Sequence, residues 1–174
     1  AEAIFARVRS EGRVNLVETE AREVLRAYGV DLAPHYLTAT ADEAAEMWEK
    51  IGGKAVMKIV SPDILHKTDA GGVALNIESA GAAREAFERL VATVRDYKAD
   101  ANIFGVMLKP MLKGGVECII GSSWDSTFGP TVMFGLGGIF VEILKDVSFR
   151  VAPVNMPSCR RMVREINGLA MLQG

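Results

Sequence analysis

Between residues 80 and 97 the side chains of Ala83, Phe87, Leu90, Val91, Val94 and Tyr97 recur at helical spacing. A helix with one apolar stripe must bury it against another element. The neighbouring segments are strand-like rather than helical. Residues 54–60 alternate and carry β-branched side chains, residues 73–77 are a short strand, and residues 103–109 read as a buried strand. Mixed α and β structure follows, which excludes an all-helical bundle and an all-β sandwich.

The remaining segments complete an α+β chain. Asn15 with Glu18 reads as an N-cap and its acid, opening a helix through Leu16, Ala21, Val24, Leu25 and Tyr28 that stops at Gly29. Residues 30–38 are strand-like around Pro34. Thr40 with Glu43 is a second capping box, and the helix it opens ends at Gly52 and Gly53. A strand at 116–121 is expected to pair with 103–109 across the turn at 110–115. Further strands are expected at 131–134, 139–144 and 147–152. A last helix covers 156–172, interrupted near Gly168.

Bulk properties narrow the function. With 174 residues the chain has room for two small lobes around one core but not for a long multidomain enzyme. A formal net charge of -2, with no basic stripe, argues against a nucleic-acid partner. No apolar run approaches the ~20 residues of a membrane helix, and no secretion signal opens the chain. Cys118 and Cys159 fit a reducing cytoplasm better than a disulfide framework or a metal site. The start at Ala1 and the end at Gly174 suggest a piece of something longer.

Chemistry sits where residues break the patterns. Lys58 shares a strand face with Val56 and Val60, so its ammonium needs an anion such as phosphate, or a route to water. Residues 61–72 form a polar loop with His66, Lys67 and the adjacent Gly71 and Gly72. Glycines let backbone N–H groups approach an anion, and a lysine adds point charge. His66 is open to roles as acid, base, ligand or phosphoryl acceptor, or to none, as an exposed loop histidine. Glu117 interrupts an apolar run and either accepts ribose hydroxyls or faces water. The stretch Gly135, Gly137, Gly138 imitates a dinucleotide fingerprint, but Phe140 stands where the last glycine belongs and a strand follows. Glu142, Lys145, Asp146 and Arg150 read as site residues or as an ordinary charged face. His35 has no evident partner and is taken as structural. Met107, Met111 and Met133 line core or pocket.

Taken together, the wording is specific. The segment Met57-Lys58-Ile59-Val60-Ser61-Pro62-Asp63-Ile64-Leu65-His66-Lys67-Thr68-Asp69-Ala70-Gly71-Gly72-Val73 closely resembles the signature of ATP-grasp domains in NDP-forming acyl-CoA synthetases. The stretch from Met111 to Glu117, Phe128-Gly129-Pro130 and Arg150-Val151-Ala152-Pro153 resemble the same family, so the likeness runs from about Leu16 to the chain end. Ala55 replaces the family's usual proline before the Lys58 strand.

The resemblance implies an ATP-grasp fold of two α+β lobes around a nucleotide cleft, C-terminally incomplete. It implies an N-terminal extension at 1–15, one lobe at 16–102 with its phosphate loop at 61–72, and a partial second lobe at 103–174. Lys58 would contact nucleotide phosphates, with Lys67, Gly71 and Gly72 forming the phosphate loop. Lys109, Pro110, Met111 and Leu112 would be the hinge beside adenine, and Glu117 would hold the ribose. His66 matches the family's loop phosphohistidine, which relays a phosphoryl group between the CoA-binding domain or α subunit and ADP. ATP or ADP and Mg²⁺ are the implied cofactors. The family's metal carboxylates lie on an acidic strand beyond the end of this chain, which is therefore expected to be inactive alone. Other readings are a different ATP-grasp carboxylate ligase, for which His66 would be dispensable, and a non-catalytic nucleotide sensor.

Overall fold

The computed structural model describes residues 1–138 and 145–174. The chain forms two compact units, residues 1–112 and 113–174. The strand that follows residue 102 lies inside the first sheet and so belongs to the first of these units.

The first unit runs α1 (Glu2–Ser10), α2 (Glu18–Ala27), β1 (Tyr36–Thr38), α3 (Ala41–Ile51), β2 (Ala55–Val60), β3 (Val73–Ile77), α4 (Ala80–Tyr97) and β4 (Gly105–Pro110). Its four strands lie in the order β1-β4-β2-β3, and every pairing is antiparallel. Residues 30–35 stay outside the sheet, since β1 meets β4 only through Tyr36, Leu37 and Thr38. Both sides of β4 are occupied by β1 and β2, so the expected pairing of 103–109 with 116–121 does not form.

Antiparallel register sorts the side chains of this sheet. Met57 and Ile59 on β2 stand with Val106 and Leu108 on β4, all fully buried, and join Leu90 and Val94 of α4 and Ala44 of α3 in one core. The apolar stripe of α4 thus finds its partner on the sheet. Trp48 of α3 ties this layer to the strand end, donating from Nε1 to the Ile77 carbonyl at 3.0 Å. Helix ends follow the sequence closely here. Thr40 caps α3 by accepting the Glu43 N–H, Glu43 accepts the Ala39 N–H, and Gly52 closes the helix in the left-handed conformation. Ser79 caps α4 through the Ala82 N–H.

In the second unit β5 (Cys118–Asp125), β6 (Gly129–Leu136) and β7 (Val147–Val151) form an antiparallel sheet in sequence order. The strand expected at 139–144 and the candidate Glu142 lie outside the described residues. The expected helix over 156–172 is two, α5 (Met156–Glu165) and α6 (Leu169–Gln173). Asp146 explains the break. Its carboxylate accepts N–H bonds from Asn167 and Gly168 at 2.7 Å each, and these donors hold its pKa below the usual carboxylate range. Arg150 pairs with Glu165 at 2.6 Å and donates to Ser158 Oγ at 3.2 Å. Asp146 and Arg150 are therefore committed to holding the terminal helices.

Gly105 starts β4 with φ of +145°, and a Cβ there would lie 2.4 Å from the Thr38 carbonyl oxygen. Backbone cannot yield as a side-chain tip does, so Gly105→Ala is expected to cost about 2–4 kcal/mol. Chemical denaturation of the two chains measures that difference.

Candidate nucleotide site on the first sheet

The second face of the first sheet is built differently. Val56, Lys58 and Val60 of β2 alternate with the buried core residues, and across the ladder Val56 faces Lys109 while Lys58 faces Met107. Period-two geometry therefore brings two ammonium groups to one side of adjacent strands. Val60 and Met107 are covered by Val17 at the start of α2, while the side chains of Lys58 and Lys109 stay 29 % and 24 % exposed.

Glu18 binds them together. Its Oε2 lies 3.8 Å from Lys58 Nζ and its Oε1 lies 3.5 Å from Lys109 Nζ. The pKa of Lys109 is lowered, first by burial and further by Lys58, against the raising effect of Glu18. In the sequence Glu18 fits the acid of a cap at Asn15, but the structure places the cap elsewhere. The N-cap is Val17, and the box acid is Glu20, whose Oε2 accepts the Val17 N–H at 3.0 Å. That shift of two residues frees Glu18 for the lysines.

A buried ionic knot fixes α2 in place. Glu20 is 6 % exposed and receives Arg13 at 2.6 Å and Arg7 at 3.1 Å. The Arg13 guanidinium also lies 5.5 Å from the Phe104 ring centre, linking the knot to the residue before β4. Nearby, His35 sits on a groove of about 380 Å³ with Arg13, Glu20 and Phe104. Its Nδ1 is buried with no hydrogen-bond partner among the described residues, and burial first, then Arg22 and Arg26, push its pKa down. Neutral His35 is consistent with the structural part expected of it.

The loop at 61–72 leaves β2 directly after the cation face and returns at Val73, which pairs with Lys58. Its two ends are anchored. Ser61 Oγ accepts the Asp63 N–H, and Asp63 accepts the Asn102 N–H at 2.6 Å. Ile64 and Ala70 are each 3 % exposed and belong to the core. Leu65, His66, Thr68 and Asp69 between them are exposed.

Gly71 and Gly72 have packing reasons of their own. A Cβ on either would come within 2.7 Å of a methyl group, of Thr93 for Gly71 and of Ile59 for Gly72, and Gly71 has φ of +64°. Their N–H groups are donated inside the loop, to Thr68 O and Lys67 O. Of the four hinge candidates, Lys109 and Pro110 are the last residues of β4, with the Lys109 side chain on the cation face; Met111 donates its N–H to Lys54 O at 2.8 Å and Leu112 is exposed.

Glu117 belongs to the second unit and is exposed, outside the strand in which it was expected. Its carbonyl accepts the Gly137 N–H at 2.6 Å, and a Cβ on Gly137 would stand 3.0 Å from the Glu117 Cβ. Gly135 is tighter still, since a Cβ there would stand 2.6 Å from the Asp146 carbonyl oxygen and 2.7 Å from a Val147 methyl. Strand packing thus accounts for Gly135 and Gly137 without a dinucleotide.

Residues 7–174 match the family of ATP-grasp domains. This chain belongs to that family. It is 48% identical over 174 residues to the beta subunit of Acetate–CoA ligase [ADP-forming] I from Pyrococcus furiosus, covering all of this chain and 75% of the relative. It is 45% identical to 4-hydroxybutyrate–CoA ligase [ADP-forming] from Nitrosopumilus maritimus, again over all of this chain but only 25% of that longer protein. Among solved structures, acetyl-coenzyme A synthetase 1 of Ca. Korarchaeum cryptofilum, in complex with coenzyme A and Ca-AMPCP, superposes with a TM-score of 0.92 at 38% identity. That match covers 99% of this chain and 75% of the other. A second structure of the same enzyme, with Mg-AMPPCP and its phosphohistidine segment pointing towards the nucleotide binding site, gives a TM-score of 0.80 at 36% identity, covering 99% and 73%. The α+β ATP-grasp fold read from the sequence is the fold found. No described helix is long and apolar enough to cross a membrane.

The Arg13–Glu20 pair carries a pH signature. Hydrogen bonds from Arg13 hold the Glu20 pKa below its ordinary 4.5, so the pair's stabilisation is complete above about that pH and fades as pH falls through the lowered value. Glu20→Gln is expected to cost about 1.5–3 kcal/mol at pH 7 and to flatten the acid side of a stability-versus-pH curve.

Proposed function

We propose that this chain is the nucleotide-binding domain of an NDP-forming acyl-CoA synthetase. The full enzyme would convert acid, CoA and ATP to acyl-CoA, ADP and phosphate, reversibly. The observation that carries the reading is the pair of ammonium groups, Lys58 and Lys109, on one partly open sheet face beside the His66 loop. Two cations that would otherwise repel each other are what a polyphosphate requires.

In this reading Lys58 and Lys109 attract the nucleotide phosphates, and Lys67 adds charge from the loop. Gly71 and Gly72 close the loop tightly against the core and bring it to phosphate distance. Their N–H groups reach an anion only after the bonds to Thr68 and Lys67 open. Pro110, Met111 and Leu112 lie beside the base, which the chain meets mainly through backbone, and Glu117 takes the ribose hydroxyls.

His66, exposed between buried anchors, is the phosphoryl acceptor. As the second phosphohistidine of a relay, its imidazole nitrogen takes the phosphoryl group from a phosphohistidine of the CoA-binding partner, whose imidazole is the leaving group, and a phosphoramidate forms on His66. A β-phosphate oxygen of ADP then takes the phosphoryl group and the imidazole is restored. A nucleotide's phosphates are ordinarily met by Mg²⁺, which neutralises their charge. Among the described residues no cluster of three or more acidic, His or Cys side chains is placed to hold a cation, so no step is assigned to the metal. The partner would be a CoA-binding domain or α subunit, as the match to beta subunits and to longer chains suggests. Free Cys118 and Cys159 suit a cytoplasmic setting.

Calorimetric titration of ADP with Mg²⁺ tests the site. Lys58→Ala is expected to weaken binding by about 1–3 kcal/mol, the loss of one charge-assisted contact. Equal binding by both chains would remove Lys58 from the site. His66→Ala is expected to keep ADP affinity while losing acid-labile phosphate incorporation when acyl phosphate and the CoA-binding partner are supplied. Retained incorporation would favour an ATP-grasp ligase that needs no phosphohistidine.

A further inference from the structure

Three features of the first unit favour negative charge at one place. Two are the ammonium groups of Lys58 and Lys109. The third is the amino end of α2, a helix of 10 residues whose first N–H groups and dipole attract anions. The anion found there belongs to the protein. Glu18, the first residue of α2, directs one carboxylate oxygen to each ammonium, at 3.8 Å and 3.5 Å.

These contacts are long for ion pairs, and the three side chains keep 23 % to 29 % of their surface in solvent. Each pair is therefore screened and weak. A polyphosphate, with more charge and more acceptor oxygens, is the stronger partner for both lysines.

We propose that Glu18 is an internal stand-in for the nucleotide phosphate, holding Lys58 and Lys109 together until a nucleotide arrives and competing with the phosphate for them. The inference rests on the nucleotide reading above and adds a residue and a direction of effect to it. Glu18 relieves the repulsion between two neighbouring cations when no ligand is present. Each arriving phosphate must displace it, and its return helps product to leave. Arg22, one turn further along α2, adds positive charge near Lys109 but is partly engaged, donating from Nη2 to the Ala33 carbonyl at 2.5 Å.

The direction distinguishes this role from a contact that aims the lysines. Removing an aiming contact weakens ligand binding, whereas removing a competitor strengthens it. The experiment is titration of ADP into the wild type, Glu18→Gln and Glu18→Asp at two salt concentrations, with melting curves for each chain. Glu18→Gln is expected to bind ADP about 3- to 10-fold more tightly at low salt, the scale set by two exposed-type ion pairs. Its affinity is expected to fall more steeply with salt, because the cluster gains one unit of positive charge. Equal or weaker binding by a folded Glu18→Gln chain overturns the proposal. Should that variant melt early, Glu18→Asp, with its carboxylate drawn back by one methylene, gives the decision: tighter binding than wild type supports competition, and equal or weaker binding overturns it. Absence of ADP binding by the wild type, with its fold intact, removes the nucleotide reading and this inference with it.

Discussion

The register between β2 and β4 is the constraint on which the rest of the first unit depends. Pairing of Met57 with Leu108 and of Lys58 with Met107 assigns every residue of both strands to a face. A slip of one position on both strands would turn Lys58 and Lys109 into the layer shared with α3 and α4. Two ammonium groups would then replace fully buried Met57 and Leu108, and no anion in that core would meet them. The hydrophobic core and the cation pair are thus set by one ladder. Any change that preserves the core also preserves the spacing of the two charges.

Helix α2 reaches this face because a second set of charges holds it. Glu20 closes the cap at Val17 and takes both Arg7 and Arg13, while Glu18, two positions earlier, points to the lysines. Residues two apart on a helix lie on nearly opposite sides, so one acid cannot serve both tasks. The buried knot therefore governs where the helix begins, and the helix start governs where the Glu18 carboxylate falls. An apolar contact alone, such as that of Val17 with Val60 and Met107, would not fix this rotation.

Much of this was readable from residues. The helix at Ala80–Tyr97 was bounded as found, because its stripe is regular and its N-cap is a serine. The strand carrying Lys58, the cap at Thr40 and the stop at Gly52 have local causes, and local causes are visible in sequence. Strand partners are not. A hairpin between the fourth and fifth strands was the shortest connection, yet β4 is inserted between β1 and β2, from distant parts of the chain. Alternation shows that a strand has an apolar face without naming the strand beside it. Glu18 was missed for the same reason: the lysine it meets on β4 is 91 residues away, and an acid near a helix start already has a sufficient local explanation.

The His66 loop shows how packing limits chemistry. Ile64 and Ala70 are rooted in the core, and Asp63 is tied to Asn102. His66 is two residues beyond Ile64, and a chain extends by at most about 3.3–3.6 Å per residue, so its Cα stays within roughly 7 Å of the anchor. A swing about a fixed Ile64 therefore carries the imidazole between points no more than about 14 Å apart in backbone terms. A longer relay requires Ile64 to leave the core, at a cost of about 1.5–3 kcal/mol for exposing its side chain. That cost is small enough for binding energy to supply and large enough to keep the loop seated otherwise. The exposed residues around His66 give it freedom to turn, and the anchors on either side determine how far the imidazole can travel before the core itself must open.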